Sequence, residues 1–159
     1  MTILRGLTTR RGFSARIPTW LLVAVPTAIG AIANWLWVGR QSLWQDEGVT
    51  ARLVTARWPE FWNTITTADY AGNMSGYYLL LWMWPFHDDE QGLRSLSALF
   101  VIASVPLVFW IGRELGGRAA GWWAASIFAL WPFIVCYGQE ARSYALLVLI
   151  AVAGTALRC

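Results

Sequence analysis

Four stretches of this chain carry no charged residue over lengths close to what a helix needs to cross a lipid bilayer. They cover residues 17–39, 95–112, 119–138 and 143–157. About 20 helical residues span the hydrocarbon core, so the first three are adequate and the last is marginal. A fifth apolar stretch, residues 77–86, is too short to cross and indicates an interfacial or re-entrant segment. The pattern predicts an all-α, multi-pass transmembrane protein.

The composition agrees with this fold class. Only 13% of the residues are charged and twelve are tryptophan, whereas a soluble domain carries about 25% charged residues. The net charge of +3 comes from arginines scattered between the apolar stretches, whereas nucleic-acid binders gather basic residues on one face. We therefore expect no nucleic-acid partner. Cys136 and Cys159 fall near opposite membrane faces in this topology, so no disulfide is expected.

The direction of the chain through the membrane follows from its arginines. The first 16 residues hold four arginines and no acid, which predicts a cytoplasmic N-terminus in the plasma membrane. Residues 40–94 carry four arginines against seven acids and form the predicted outer loop. Arg113 and Arg118 return to the cytoplasm. Asp46-Glu47 and the segment "YGQEARSY" (residues 137–144) then lie on the same outer face.

A cleaved leader is the alternative reading of the N-terminus. "TTRRGF" is similar to a twin-arginine signal, and Ala31-Ile32-Ala33 is similar to a cleavage site. The apolar stretch is long for a leader, which favours a transmembrane helix.

The outer loop contains two segments with helical spacing of apolar residues. Pro59 suits the first turn of the second segment. Both segments are predicted to be short amphipathic helices lying in the membrane interface. Their apolar positions are Val49, Leu53, Val54 and Trp58 in the first, and Phe61, Trp62 and Ile65 in the second.

The adjacent carboxylates Asp46 and Glu47 allow two readings. Acids favour the first turn of a helix, where they meet the positive end of its dipole. Alternatively, partial desolvation and a neighbouring like charge favour proton uptake by a carboxylate, which is what a general base requires. Both residues are therefore candidate catalytic groups.

Arginines at the outer ends of two apolar stretches are candidates for binding phosphate. A guanidinium matches phosphate oxygens with a planar fork and stays charged in any environment. Arg142, with Gln139 and Tyr144 nearby, and Arg94 are the predicted donor-phosphate residues. Anchoring of these arginines to lipid headgroups is the alternative.

No metal or soluble cofactor is expected. The cluster "HDDEQ" (residues 87–91) has ligand types that suit a divalent cation, but its spacing matches no metal motif and a solvated turn is favoured. The chain has no phosphate-binding Gly-rich loop.

An ordered set of segments resembles a known family. The set comprises "W-x-D-E-x-x-T" (Trp44, Asp46, Glu47, Thr50), "YYLLLWMW", "LRSLSALF" with "VPLVFWIGRELGGR", and "AASIFALWPFIVCYGQEARSYAL". From about residue 20 to the C-terminus, the chain resembles the N-terminal part of bacterial GT-C type membrane glycosyltransferases, the protein mannosyltransferase and aminoarabinose transferase group. The paired tyrosines follow Ser75-Gly76, where family members usually have prolines.

The resemblance implies a polyprenyl-phosphate sugar donor and an inverting transfer to an acceptor hydroxyl on the outer face. It implies catalytic roles for Asp46 and Glu47 and donor-phosphate binding by Arg142 and Arg94. Family members run to several hundred residues, so residues 1–159 are expected to be the N-terminal part of one such domain and inactive alone, needing further spans or another chain. The alternative is a non-catalytic multi-pass membrane protein, either a transporter fragment or an assembly subunit.

Overall fold

The computed structural model of the chain describes residues 17–37, 45–68 and 74–159, and these residues form helices and no strand. The predicted all-α class is therefore confirmed for this part of the chain. Its seven helices are α1 (Thr19–Trp37), α2 (Gln45–Val54), α3 (Trp58–Thr67), α4 (Ser75–Trp82), α5 (Glu90–Leu130), α6 (Pro132–Gln139) and α7 (Tyr144–Ala156).

Helix α5 is a hairpin whose two helical arms, residues 90–116 and 118–130, meet at Gly117. This residue has φ 82° and ψ −179°, a conformation that glycine adopts without the steric cost a side chain would bring. The two arms approach closely beside the turn because glycines line both. A Cβ added at Gly121 would lie 2.6 Å from the carbonyl oxygen of Phe109, and one added at Gly112 would lie 2.9 Å from the Cα of Gly121.

Helix α1 packs against both arms of the hairpin. A Cβ at Gly30 would meet Ala129 of the second arm at 3.3 Å and Val105 of the first arm at 3.5 Å. The carbonyl oxygen of Ile17 accepts a hydrogen bond from Arg118 Nη2, so the beginning of α1 lies beside the hairpin turn. The last turns of α1 lie at the opposite end of the bundle.

That opposite end carries a second core built from the short helices. Buried side chains of α2, α3 and α4 pack there with the beginning of α5 and with the turn between α6 and α7. The cluster consists of Leu53, Val54, Phe61, Ile65, Tyr77, Tyr78, Leu81, Leu93, Leu96 and Ala141. The small helices are therefore docked on the bundle by a shared apolar core.

The short helices occupy the predicted outer loop with one change of boundary. Pro59 lies in the first turn of α3, as its sequence position predicts. Trp58, however, begins α3 and does not belong to the face of α2. Helix α4 has only eight residues, so its apolar sequence does not form a span.

Two of the described helices, α1 and α5, are long and apolar enough to cross a membrane. The last two predicted spans contain shorter helices. Residues 119–138 do not form one helix, because Trp131 has extended backbone angles (φ −65°, ψ 124°) and separates α5 from α6. Helix α7 has 13 residues, or about 20 Å at 1.5 Å per residue, which is shorter than the hydrocarbon core. The arginines of the first 16 residues lie outside the described residues.

Candidate functional site

The site begins in the first turn of α2, where two adjacent carboxylates face different surroundings. Successive helical residues are turned by about 100°, so neighbours cannot share one face. Glu47 belongs to the buried stripe of α2, which continues through Thr50, Leu53 and Val54. The side chain of Asp46 is 67% exposed, whereas that of Glu47 is 3% exposed. Of these two carboxylates, Asp46 is therefore the one open to a ligand in solvent.

Glu47 forms a buried ion pair with Arg94, which lies near the beginning of α5. Arg94 donates from Nε to Glu47 Oε1 at 3.0 Å and from Nη2 to Oε2 at 2.6 Å. The side chain of Arg94 is also only 3% exposed. A guanidinium and a carboxylate paired through two parallel hydrogen bonds form one of the strongest charged contacts in proteins. This pair fixes α2 to α5.

The same carboxylate also holds the turn between α6 and α7. The backbone N–H of Ala141 donates to Glu47 Oε1 at 2.9 Å. Ala141 is completely buried, and a buried backbone N–H is costly unless it has a partner. Glu47 therefore connects α2, α5 and the residues immediately before Arg142.

Arg142 meets the exposed carboxylate of the pair. Its Nη1 donates to Asp46 Oδ2 at 2.7 Å, and its guanidinium carbon lies 5.3 Å from the ring centroid of Tyr144. The Arg142 side chain is 27% exposed. The pair Asp46–Arg142 thus lies at the surface, next to the buried pair Glu47–Arg94, because Asp46 and Glu47 are consecutive residues of α2.

The backbone carbonyl of Arg142 lies at the end of a chain of two buried hydroxyl groups. Ser97 Oγ, on α5, lies 3.4 Å from this oxygen, and the hydroxyl of Tyr77, on α4, lies 2.9 Å from Ser97 Oγ. Burial raises the pKa of Tyr77 above its ordinary value, since the ionised ring would lose its solvation. Tyr77 therefore stays a neutral hydrogen-bonding group.

Gln139, a predicted phosphate residue, contacts a different part of the molecule. Its Nε2 lies 3.5 Å from the carbonyl oxygen of Ala33 on α1. The structure thus brings Asp46, Arg142 and Tyr144 together at the surface. The side chain of Gln139 instead contacts α1. The assignment of Gln139 to the phosphate stays a prediction.

The acidic cluster of residues 87–91 acts locally. Asp89 accepts a hydrogen bond from the backbone N–H of Gly92 at 2.7 Å and thereby caps α5. His87 Nδ1 contacts the carbonyl oxygen of Trp84. Within residues 17–37, 45–68 and 74–159, no three His, Cys, Asp or Glu side chains form a group suited to a metal ion.

Tyr77, Ser97 and the Ala141 amide were missed by the sequence predictions. Ser97 follows Arg94 by three positions, and residues at that spacing share one face of a helix. That spacing was an available signal. The contact of Ala141 gives no such signal, because every residue except proline has a backbone N–H.

Among the described residues, the site brings the exposed carboxylate of Asp46 against the partly exposed guanidinium of Arg142, next to the buried pair Glu47–Arg94. The carboxylate can accept a proton, and the guanidinium can bind an anion. The predicted roles of Glu47 and Arg94 remain predictions, while their mutual pairing favours Asp46 and Arg142 as the groups that meet a ligand. Comparisons of the chain with protein-family models, curated proteins and solved structures gave no match.

Proposed function

We propose that this chain forms the acidic and phosphate-binding part of a multi-pass membrane glycosyltransferase of the GT-C type. The donor is a polyprenyl-phosphate sugar and the acceptor is a hydroxyl group on the outer face of the plasma membrane. The observation that carries the proposal is the 2.7 Å contact between the exposed carboxylate of Asp46 and the guanidinium of Arg142. Both side chains lie at the end of the bundle away from the Gly117 turn. Helix α2 is held there because Glu47 pairs with Arg94 at the beginning of α5.

The proposed topology has support from the arrangement of the helices. Arg118 and Ile17 meet beside the hairpin turn, whereas Asp46, Glu47, Arg94 and Arg142 meet at the opposite end. A cytoplasmic Gly117 turn then gives an outer-face site, which agrees with the positive-inside distribution of arginines. Further crossings by residues 119–138, which cover most of the second arm of α5 and of α6, and by residues 143–157, which include α7, are part of this proposal.

The reaction assigns one role to each exposed group. Asp46 accepts the proton of the acceptor hydroxyl as its oxygen attacks the anomeric carbon. The bond between that carbon and the phosphate oxygen breaks, and the phosphate leaves with the electron pair. Arg142 binds the phosphate and stabilises its growing negative charge, an electrostatic contribution that is often the largest in enzyme catalysis. Glu47 and Arg94 act as the buried support.

Binding of a phosphate to Arg142 would also free Asp46, the proposed base, from its contact with this guanidinium. Asp46 and a phosphate both require the guanidinium of Arg142, so a bound phosphate competes with Asp46 for the same N–H donors. Replacing Asp46 by asparagine removes the competing charge while keeping the shape of the side chain. The proposal therefore predicts opposite effects on phosphate affinity for substitutions of the two partners.

Binding of geranyl phosphate to the chain in lipid nanodiscs tests this. Arg142→Gln should weaken affinity by roughly ten- to a hundredfold, because hydrogen bonds to charged groups contribute about 1.5–3 kcal/mol. Asp46→Asn should raise affinity, because it removes the carboxylate that competes with phosphate for Arg142. Arg57→Gln is the matched control, since Arg57 forms a solvent-exposed pair with Glu60 on α3. Equal affinity for Arg142→Gln and the unaltered chain would overturn the proposal.

A further inference from the structure

We propose that Tyr77 and Ser97 are positioning residues that set the location of Arg142 through its backbone carbonyl. Neither residue touches the proposed ligand site directly. Their place in phosphate recognition rests on the proposed function, whereas their hold on the α6–α7 turn is a property of the fold that can be measured separately.

The two hydroxyl groups form a chain that ends at Arg142. Tyr77 OH lies 2.9 Å from Ser97 Oγ, and Ser97 Oγ lies 3.4 Å from the Arg142 carbonyl oxygen. A carbonyl can only accept, so Ser97 donates to it, and Tyr77 then donates to Ser97. Hydrogen bonds arranged in this order polarise and strengthen one another.

Both hydroxyl groups are removed from solvent. Tyr77 is 1% exposed and Ser97 is 0% exposed. A buried hydroxyl needs an internal partner, because its desolvation is not otherwise compensated. The hydrogen bond between Tyr77 and Ser97 compensates for this desolvation, and the Ser97 hydroxyl donates its hydrogen to the α6–α7 turn. Replacing Ser97 by an apolar residue removes the donor to the Arg142 carbonyl, and replacing Tyr77 removes the group that orients this donor.

The turn is consequently held on both sides of one peptide unit. Glu47 accepts from the N–H of Ala141, while Ser97 donates to the carbonyl of Arg142. The backbone between these two atoms cannot rotate without losing one of the contacts. The guanidinium of Arg142 projects from this fixed backbone toward Asp46.

The structure supplies a control for each substitution. Tyr78 is the neighbour of Tyr77 and is also buried, but its hydroxyl contacts only the sulfur of Met74 one helical turn earlier, among the contacts the structure gives it. Ser104 is as deeply buried as Ser97, but its hydroxyl donates to the Phe100 carbonyl of its own helix. Neither control reaches the α6–α7 turn.

The first measurement is hydrogen exchange of the backbone amides in residues 140–144 of the chain in nanodiscs. Tyr77→Phe and Ser97→Ala should speed exchange there by roughly two- to tenfold, the range that one lost internal hydrogen bond accounts for. Tyr78→Phe and Ser104→Ala should leave it unchanged. Unchanged exchange in the first two variants, or equal acceleration in the controls, overturns the positioning roles whatever reaction the protein performs.

The second measurement shows whether the effect passes through Arg142. Tyr77→Phe should weaken geranyl phosphate binding about threefold or more, on the scale of one neutral hydrogen bond, and should have no further effect when Arg142→Gln is already present. Such non-additivity identifies residues that act through each other. An equal effect in both backgrounds overturns the inference. Faster exchange in a chain that binds no geranyl phosphate supports positioning and removes the proposed function.

Discussion

Glu47 and Arg94 are 47 positions apart and form two hydrogen bonds to each other in a setting where each side chain is 3% exposed. A pair this deeply buried has given up its hydration, so each charge depends on the other. The pair joins the first turn of α2 to the beginning of α5.

The first prediction concerns the stability that depends on this pair. Glu47→Gln should lower the free energy of unfolding by about 3–5 kcal/mol, because it removes one charge of a buried ion pair. Denaturant unfolding of the chain in detergent, followed by circular dichroism, measures this. Glu60→Gln is the control, since Glu60 pairs with Arg57 at the surface, with side chains 60% and 85% exposed, and surface pairs contribute little. An equal loss in both variants would contradict the importance of burial.

The second prediction separates binding from chemistry at Asp46. In membranes where the further spans are supplied, Asp46→Asn should reduce sugar transfer by about 10²–10⁴-fold, which is the usual contribution of a general base. Membrane insertion should not change, because the side chain keeps its shape and is largely exposed. Release of polyprenyl phosphate from hexose and pentose donors provides the assay. Transfer at the unaltered rate would mean that Asp46 is a helix-start residue.

The third prediction concerns the direction of the chain through the membrane. With Cys136 and Cys159 replaced by serine, Gly48→Cys should react with an impermeant thiol reagent added outside intact cells, whereas Leu115→Cys should react only after permeabilisation. A Cβ at Gly48 meets nothing within 4 Å, and Leu115 is 80% exposed beside the hairpin turn, so both cysteines are tolerated and accessible. Labelling of Leu115→Cys from outside would reverse the proposed orientation.

The fourth prediction concerns the close packing of the hairpin. Gly121→Ala should destabilise the chain by about 1–3 kcal/mol, the usual cost of forcing an extra carbon into a packed interior. The added Cβ would lie 2.6 Å from the Phe109 carbonyl oxygen. Gly154→Ala is the control, because a Cβ there meets nothing within 4 Å and alanine is the better helix former. Unfolding of the two variants under the same conditions provides the measurement, and equal stability would argue against this packing.

The helical class and the grouping of Asp46, Arg94 and Arg142 at one end could be predicted from the sequence. Both follow from the alternation of uncharged stretches with arginine-bearing segments, which acts over the whole chain. The different surroundings of Asp46 and Glu47 were also encoded, because Glu47, Thr50, Leu53 and Val54 follow helical spacing. That signal was obscured by Val49, which is apolar and yet 44% exposed.

Other features depend on the tertiary fold and leave no pattern in the sequence. The break at Trp131 is not one of these features, because Pro132 follows it and a residue before proline favours extended backbone angles. The bond from Ala141 N–H to Glu47 joins residues 94 positions apart, and local spacing does not specify such a contact. Tyr77 and Ser97 also find each other only when α4 docks on α5.

The single turn of α2 that carries Asp46 and Glu47 has a consequence for how the site assembles. Glu47 accepts a hydrogen bond from the amide of Ala141, and Asp46 accepts one from the guanidinium of Arg142. Two consecutive residues of α2 therefore bind two consecutive residues of the α6–α7 turn. Withdrawing α2 would release both contacts together, and returning it would restore both together. Formation of the site is therefore cooperative, because the acid and the arginine reach their paired positions together.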